Sequence, residues 1–395
     1  MDNGFSNQRT FNLKMLLILS LGHLVTDIYQ GSLPAILPFL KDKLSLSYAM
    51  AGAIMMASNL TSSVIQPLFG YLSDRKEKAF LLPFGCVAAG VGLSLISIPA
   101  DYVLVLLLVI VSGLGVASFH PEGYKTAHFF TGDKMATGMS VFSVGGNLGF
   151  ALGPIISLFI ITQYGFDFLP VMIVFSFIFV SLLFYAWKSL APAQSMQSGT
   201  GNGLHENAPK GAYVALFMII GTVVMRSWTQ MGLMAYIPFY YIEHLKGEPI
   251  FAGKLMSIFL LGGVVGTLIG SFLADRWGHK LYLVLSLILT SLLFPLIFVA
   301  EGFALFVALG VVGMTLISSF TVTIVMAQQL LPKNLGIASG LMVGFAIGTG
   351  GIGVTLLGLI ADHFGVPIAL KSIMVLPLVG VVMSLFIKYP GQVRR

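Results

Sequence analysis

Gly70-Tyr71-Leu72-Ser73-Asp74-Arg75 closes one hydrophobic stretch and Gly270-Ser271-Phe272-Leu273-Ala274-Asp275-Arg276 closes another, with the two aspartates 201 residues apart. The offset returns further along. Ala136-Thr137-Gly138-Met139 is echoed 202 residues on by Ala338-Ser339-Gly340-Leu341, and Tyr164-Gly165-Phe166 is echoed 200 residues on by Phe364-Gly365-Val366. Half of the chain therefore reads as a copy of the other half. Parallel repeats of this length, in a chain that is 57% hydrophobic and 9% charged with a mean hydropathy of +0.94, imply a two-bundle membrane carrier with its site near the midplane.

Apolar stretches of about 20 residues recur almost from end to end, each long enough to cross a hydrocarbon core roughly 30 Å thick. Twelve are read, near 13–38, 48–72, 80–98, 103–128, 136–161, 168–188, 211–240, 250–274, 281–300, 303–330, 335–361 and 366–388. The expected fold is an all-α membrane protein of twelve transmembrane helices in two six-helix bundles related by pseudo-two-fold symmetry. Residues 1–188 form the N-terminal bundle, the polar run 189–210 a cytoplasmic linker, and 211–395 the C-terminal bundle. The first span carries Lys14, His23 and Asp27 and no small-residue cleavage site, so it is expected to stay in the mature chain.

The net charge of +6 sorts by membrane side. With both termini cytoplasmic, 15 of the 21 Lys and Arg residues fall inside, 5 outside, and Arg226 within a span. The basic excess thus points to topology and to the lipid bilayer, with no nucleic-acid partner expected. Cys86, the single cysteine, excludes an internal disulfide and a cysteine metal cage. There is no phosphate-cradling Gly-x-x-x-x-Gly-Lys-Ser/Thr loop and no His-Glu-x-x-His helix. No metal, cofactor or enzymatic activity is expected, and the connections are too short for a soluble catalytic domain.

Ionisable side chains inside a span are costly and usually face a cavity or a partner. His23 and Asp27 lie four apart on one helix face, roughly 16 and 22 Å into the first span at about 1.5 Å per residue. Arg226 lies at a similar depth of roughly 22 Å in the seventh span. It sits one position from the repeat counterpart of Asp27. The matched depth suggests a charge pair that protonation of Asp27 breaks, or else a permanent ion pair that staples the bundles.

The fourth span ends with Phe119-His120-Pro121-Glu122-Gly123-Tyr124-Lys125-Thr126-Ala127-His128. His120 and Glu122 suit proton handling or a fixed helix-end network, while Lys125 and His128 read as interfacial snorkelling groups. Polar candidates for a ligand are Asn147, Gln230, which follows Arg226 by one turn, Gln328 and Tyr240, the last also belonging to an aromatic belt. Gly145, Gly149 and Gly153, followed by Pro154, recur every fourth residue in the fifth span. Such a flat face serves static packing or a sliding contact.

Residues 70–78, with their copy at 271–280, resemble the loop between helices two and three of the major facilitator superfamily. The resemblance implies that Gly70, Asp74, Arg75, Asp275 and Arg276 hold one conformational state through neighbouring helix ends. Gly149-Phe-Ala-Leu-Gly153-Pro154 is similar to part of that family's fifth-helix antiporter motif, with Ser157-Leu158 in place of the glycine pair that follows there. Gln66-Pro67-Leu-Phe-Gly70-Tyr71, Phe119-His120-Pro121-Glu122, Val144-Gly145-Gly146-Asn147, Ala327-Gln328-Gln329-Leu-Leu-Pro332 and Gly358-Leu-Ile-Ala-Asp362-His363 resemble the fosmidomycin resistance protein group.

That resemblance implies a proton-coupled antiporter of the bacterial inner membrane that exports a small anionic compound such as the phosphonate fosmidomycin. His23, Asp27, His120 and Glu122 are the candidates for proton coupling. Arg226, His120, Asn147, Gln230, Gln328 and Tyr240 are the candidates for the substrate. The expected state is a monomer. Uptake or export of another organic anion, siderophore or sugar is the alternative, and a non-transporting receptor is the alternative from another class.

Overall fold

The computed structural model describes residues 11–46, 48–75, 79–190, 211–247, 249–346 and 348–388. Among these residues all regular structure is helical. The first half contains α1 (Leu13–Leu44), α2 (Tyr48–Asn59), α3 (Gln66–Asp74), α4 (Leu81–Ser94), α5 (Tyr102–His128), α6 (Met135–Tyr164) and α7 (Ile173–Tyr185). The second contains α8 (Ala212–Phe239), α9 (Pro249–Trp277), α10 (His279–Leu293), α11 (Leu296–Val299), α12 (Gly302–Ile317), α13 (Phe320–Leu330), α14 (Leu335–Ser339), α15 (Gly350–Phe364), α16 (Val366–Ile373) and α17 (Val375–Leu385).

Nine helical segments among the described residues are long and apolar enough to cross a bilayer. Three further expected spans correspond to α1, to α2 and α3 on either side of a π-helical turn at Leu60–Val64, and to the shorter apolar helix Leu81–Ser97.

Local signals set the helix ends. Asn12 accepts from the Met15 amide at 3.1 Å, and Asp101 accepts from the Leu104 amide at 3.0 Å, so each caps orphan donors of the helix that follows. Gly165 and Gly365 end α6 and α15 with φ of +93° and +84°, a region open to glycine at little cost. They occupy equivalent places in the two sequence copies, so the repeat seen in letters is also a repeat in backbone.

The chain divides into two compact units, Met1–Asn202 with Lys333–Gly340, and Gly203–Pro332 with Leu341–Arg395. The second crossing falls at Gly340, where a π-helical turn over Gly340–Ala346 begins. Apart from Ser189 and Leu190, the expected linker 189–210 lies outside the described residues.

In the first unit α1 packs on α6 along the glycine face. A Cβ on Gly145, Gly149 or Gly153 would stand 2.0, 2.1 or 2.4 Å from the carbonyl oxygen of Ser20, Leu24 or Ile28, so the backbones touch. Phe150, Ile155 and Phe159 point outward from the same helix and are exposed, as the lipid-facing side of a span requires. In the second unit Leu233, Ile237, Phe259, Leu309, Leu316 and Ile373 belong to one buried cluster.

Candidate functional site

His23 and Asp27 come from the middle of α1, and His120 comes from α5 just before Pro121. The Nε2 of His23 lies 3.3 Å from Asp27 Oδ2, and the Nε2 of His120 lies 3.1 Å from Asp27 Oδ1. All three residues are buried, at 3%, 8% and 4% exposure for His23, Asp27 and His120, so the carboxylate has exchanged water for two imidazoles. The rings meet edge to face with centroids 4.9 Å apart, and His23 stacks on Phe142 at 4.4 Å.

The other nitrogen of each ring is already committed. His23 Nδ1 donates to the Phe142 carbonyl at 3.0 Å, and His120 Nδ1 donates to the Val116 carbonyl at 2.9 Å. A carbonyl only accepts, so each Nδ1 carries hydrogen and Nε2 is the nitrogen left to gain or lose a proton. Gly146 makes the room, because a Cβ there would stand 2.3 Å from His23 Nε2 and 2.7 Å from Asp27 Oδ2. Three of the four candidates expected to handle protons thus meet in one cluster, with the two histidines flanking the Asp27 carboxylate. The four-residue spacing predicts that His23 and Asp27 share a helix face, but no local signal in the sequence relates His120 to α1.

Glu122 is fully buried one half-turn further along α5 and accepts from Thr126 Oγ1 at 3.3 Å. Lys125 and His128, expected to snorkel at the interface, are instead buried at 2% and 4% exposure. Lys125 Nζ donates to the Ser73 carbonyl at the end of α3. The fixed backbone acceptor at that helix end provides a partner that the sequence did not reveal.

The signature loop is held by backbone contacts. Asp74 Oδ1 accepts from the Gly336 amide at 2.8 Å and Oδ2 accepts from the Ile337 amide at 2.9 Å, at the start of α14. Gly70 lets the backbones meet, since a Cβ there would stand 2.3 Å from the Gly336 carbonyl oxygen. Asp74 lies beyond its span, and burial pushes its carboxyl up to about 6 against the lowering effect of those two amides and of Lys125. Arg75 lies over the Tyr71 ring at 4.2 Å. In the second copy Asp275 Oδ1 is 3.3 Å from His279 Nε2, and Arg276 is exposed.

The second unit places Arg226 in the middle of α8, buried, with its guanidinium 5.2 Å from the Phe320 ring centroid. Gln328 and Tyr240 are buried, whereas Gln230 and, in the first unit, Asn147 are half-buried. Next to Arg226 along α8, Trp228 Nε1 donates to Thr349 Oγ1 at 3.3 Å. Pro154 sits inside α6 and is half-buried.

The described residues are all-helical, with repeated apolar spans and charged residues buried at mid-helix, the pattern of a multi-pass membrane protein. The chain belongs to the Major Facilitator Superfamily, which it matches over residues 19–248 and 218–395. It is 32% identical over 365 residues to the fosmidomycin resistance protein of Escherichia coli (strain K12), spanning 92% of this chain and 90% of that one. An uncharacterised MFS-type transporter of Bacillus subtilis (strain 168), YfnC, is 31% identical over 372 residues, spanning 93% of this chain and 91% of that one. Among solved structures the fucose:proton symporter of Escherichia coli, FucP, shares the fold with a TM-score of 0.73 at 13% identity, covering 95% of this chain and 99% of that one.

Proposed function

We propose that this transporter is a proton-coupled exporter of a small anionic compound, of the phosphonate class to which fosmidomycin belongs. The observation that carries the proton coupling is the Asp27 carboxylate held between two Nε2 atoms whose rings are fixed from behind. A proton on either Nε2 is placed to bridge its ring to the carboxylate, and the charge of the site changes with each one. Glu122, two residues from His120 and buried, is a second proton site on the same helix.

Support for the substrate class comes from the similarity to the fosmidomycin resistance protein and from Arg226. A guanidinium presents paired donors that match a phosphonate or carboxylate. Asn147, Gln230, Gln328 and Tyr240 supply further polar contacts. The lysine and arginine distribution favours both termini in the cytoplasm, with α1 running from inside to outside; on this reading the protein works as a monomer in the bacterial inner membrane. Asp74 and its amide partners serve as a latch on the start of α14 that is made in one conformational state and released in the other.

Proteoliposomes with an imposed proton gradient test this reading. Adding fosmidomycin, fosfomycin and a panel of small organic acids is expected to trigger counterflow of protons with a phosphonate and to fail with Asp27→Asn. Proton flux in the same direction as the substrate would instead assign uptake, and absence of counterflow with every anion would remove the export reading.

A further inference from the structure

A small cavity lies in the first unit one helical turn beyond Asp27, away from Asn12. Its enclosed space is about that of a single water molecule, and it is lined by Gln30, Ser58, Ser62, Ser112, Tyr29 and Val116 among others. Four of these residues, Gln30, Ser58, Ser62 and Ser112, bring hydroxyl or amide groups into an otherwise apolar region of four packed helical segments. Gln30 Nε2 donates to Ser62 Oγ at 3.4 Å, and Ser112 Oγ donates to the Ala89 carbonyl at 3.1 Å. Polar space of this kind holds water, whereas apolar space of equal size stays dry.

The cavity and the triad share two walls. On α1 Gln30 follows Asp27 by three residues and so lies on the same face. On α5 the Val116 that lines the cavity is the residue whose carbonyl holds His120 Nδ1. One turn of helix, about 5.4 Å, separates the two features along each element. That is the reach of one or two bridging waters.

We infer that this cavity is a hydrated vestibule through which protons reach Asp27 and His120 from the outer side of the membrane. The assignment rests on the proton-coupled reading above and on its inside-to-outside direction for α1. The ligand is water relaying a proton; the space is too small for an organic substrate. The groups that face this route are Tyr29 and Gln30 from α1, Ser58 and Ser62 from α2 and the π-helical turn, and Ser112 from α5, with His23, Asp27 and His120 at its inner end and no other charged side chain in the lining.

The test follows protonation of the triad in the full-length protein in liposomes after a pH jump, using the infrared imidazolium band that His23→Gln with His120→Gln removes. Ser62→Ala with Ser112→Ala deletes two hydroxyls without adding bulk, and Gln30→Leu deletes the amide. Each is expected to slow the band's appearance at least tenfold while leaving its final amplitude and the thermal unfolding transition unchanged. Parent-like rates in both folded variants would overturn the vestibule and leave the proton site standing. A band absent from the parent protein at every pH would overturn the proton-site reading and the vestibule with it.

Discussion

The first helix of each half, α1 and α8, descends from one repeated element, yet the two are packed and charged differently. On α6 the glycines at 149 and 153 press against carbonyl oxygens of α1, backbone to backbone. Their repeat counterparts on α15, Gly350 and Gly353, meet side chains instead. A Cβ on Gly350 would stand 2.8 Å from Met231 Cγ, and one on Gly353 would stand 2.4 Å from the Trp228 ring. The acidic residue of α1 is enclosed by two histidines, whereas the basic residue of α8 lies against an aromatic ring. A duplicated scaffold thus kept its helix order and its terminating glycines while its mid-helix charges took opposite signs. Under the proposed function, the rigid contact supports the proton-binding group, which must hold one geometry, and the looser one supports the group proposed to meet a variable ligand.

The comparison is broken most sharply at its charges. Asp27→Asn is expected to abolish proton-driven transport while equilibrium binding of a phosphonate, measured by calorimetry, stays within a few-fold of the parent. Arg226→Lys is expected to do the converse. Loss of a bidentate charged contact, worth about 1.5–3 kcal/mol, weakens substrate binding by roughly 10- to 100-fold. Binding that falls equally in both variants would mean that the halves do not divide the work.

The packing contrast predicts a smaller difference. Gly153→Ala forces a methyl against the fixed Ile28 carbonyl and is expected to cost about 1–3 kcal/mol, read as a lowered thermal transition in detergent. Gly353→Ala meets the Trp228 ring, which can rotate, and is expected to cost less. Equal losses would show that the two helix pairs are equally rigid.

The smallest effect concerns the latch at Asp74. Its carboxyl is raised to about 6 while docked, against 3.8 when free, so the docked form binds the proton more tightly. Docking is therefore weakest above pH 6 and strengthens as the pH falls from 6 towards 4. Hydrogen exchange at the Gly336 and Ile337 amides, corrected for its intrinsic pH dependence, is expected to slow over that window. Asp74→Asn flattens the dependence.

Much of this architecture was legible because a bilayer imposes simple rules. Twenty apolar residues are a span, and loop copies 201 residues apart are a repeat. The interruption of the second span at Leu60–Val64 was not legible, because a single π-helical turn leaves no periodicity in so short a stretch. Within the site, the four-residue spacing of His23 and Asp27 could be read directly, since helix geometry fixes it. His120 stands 93 positions from Asp27, and its approach depends on how α5 packs against α1. Lys125 misled because a basic residue near a span end ordinarily reaches for water, and here the end of α3 offers the Ser73 carbonyl in its place.

The carbonyls of Phe142 and Val116, by occupying one nitrogen of each ring, also restrict the site's response to voltage. With both Nε2 atoms bare the cluster carries −1, with one added proton it is neutral, and with two it carries +1. Each elementary charge moved through a membrane potential is worth about 2.3 kcal/mol per 100 mV. A conformational step that shifts the singly loaded cluster therefore does no electrical work, whereas the same step made empty or doubly loaded is opposed or driven by the potential. On the proposed proton-coupled reading, the number of protons held decides whether the carrier feels the membrane potential at that step.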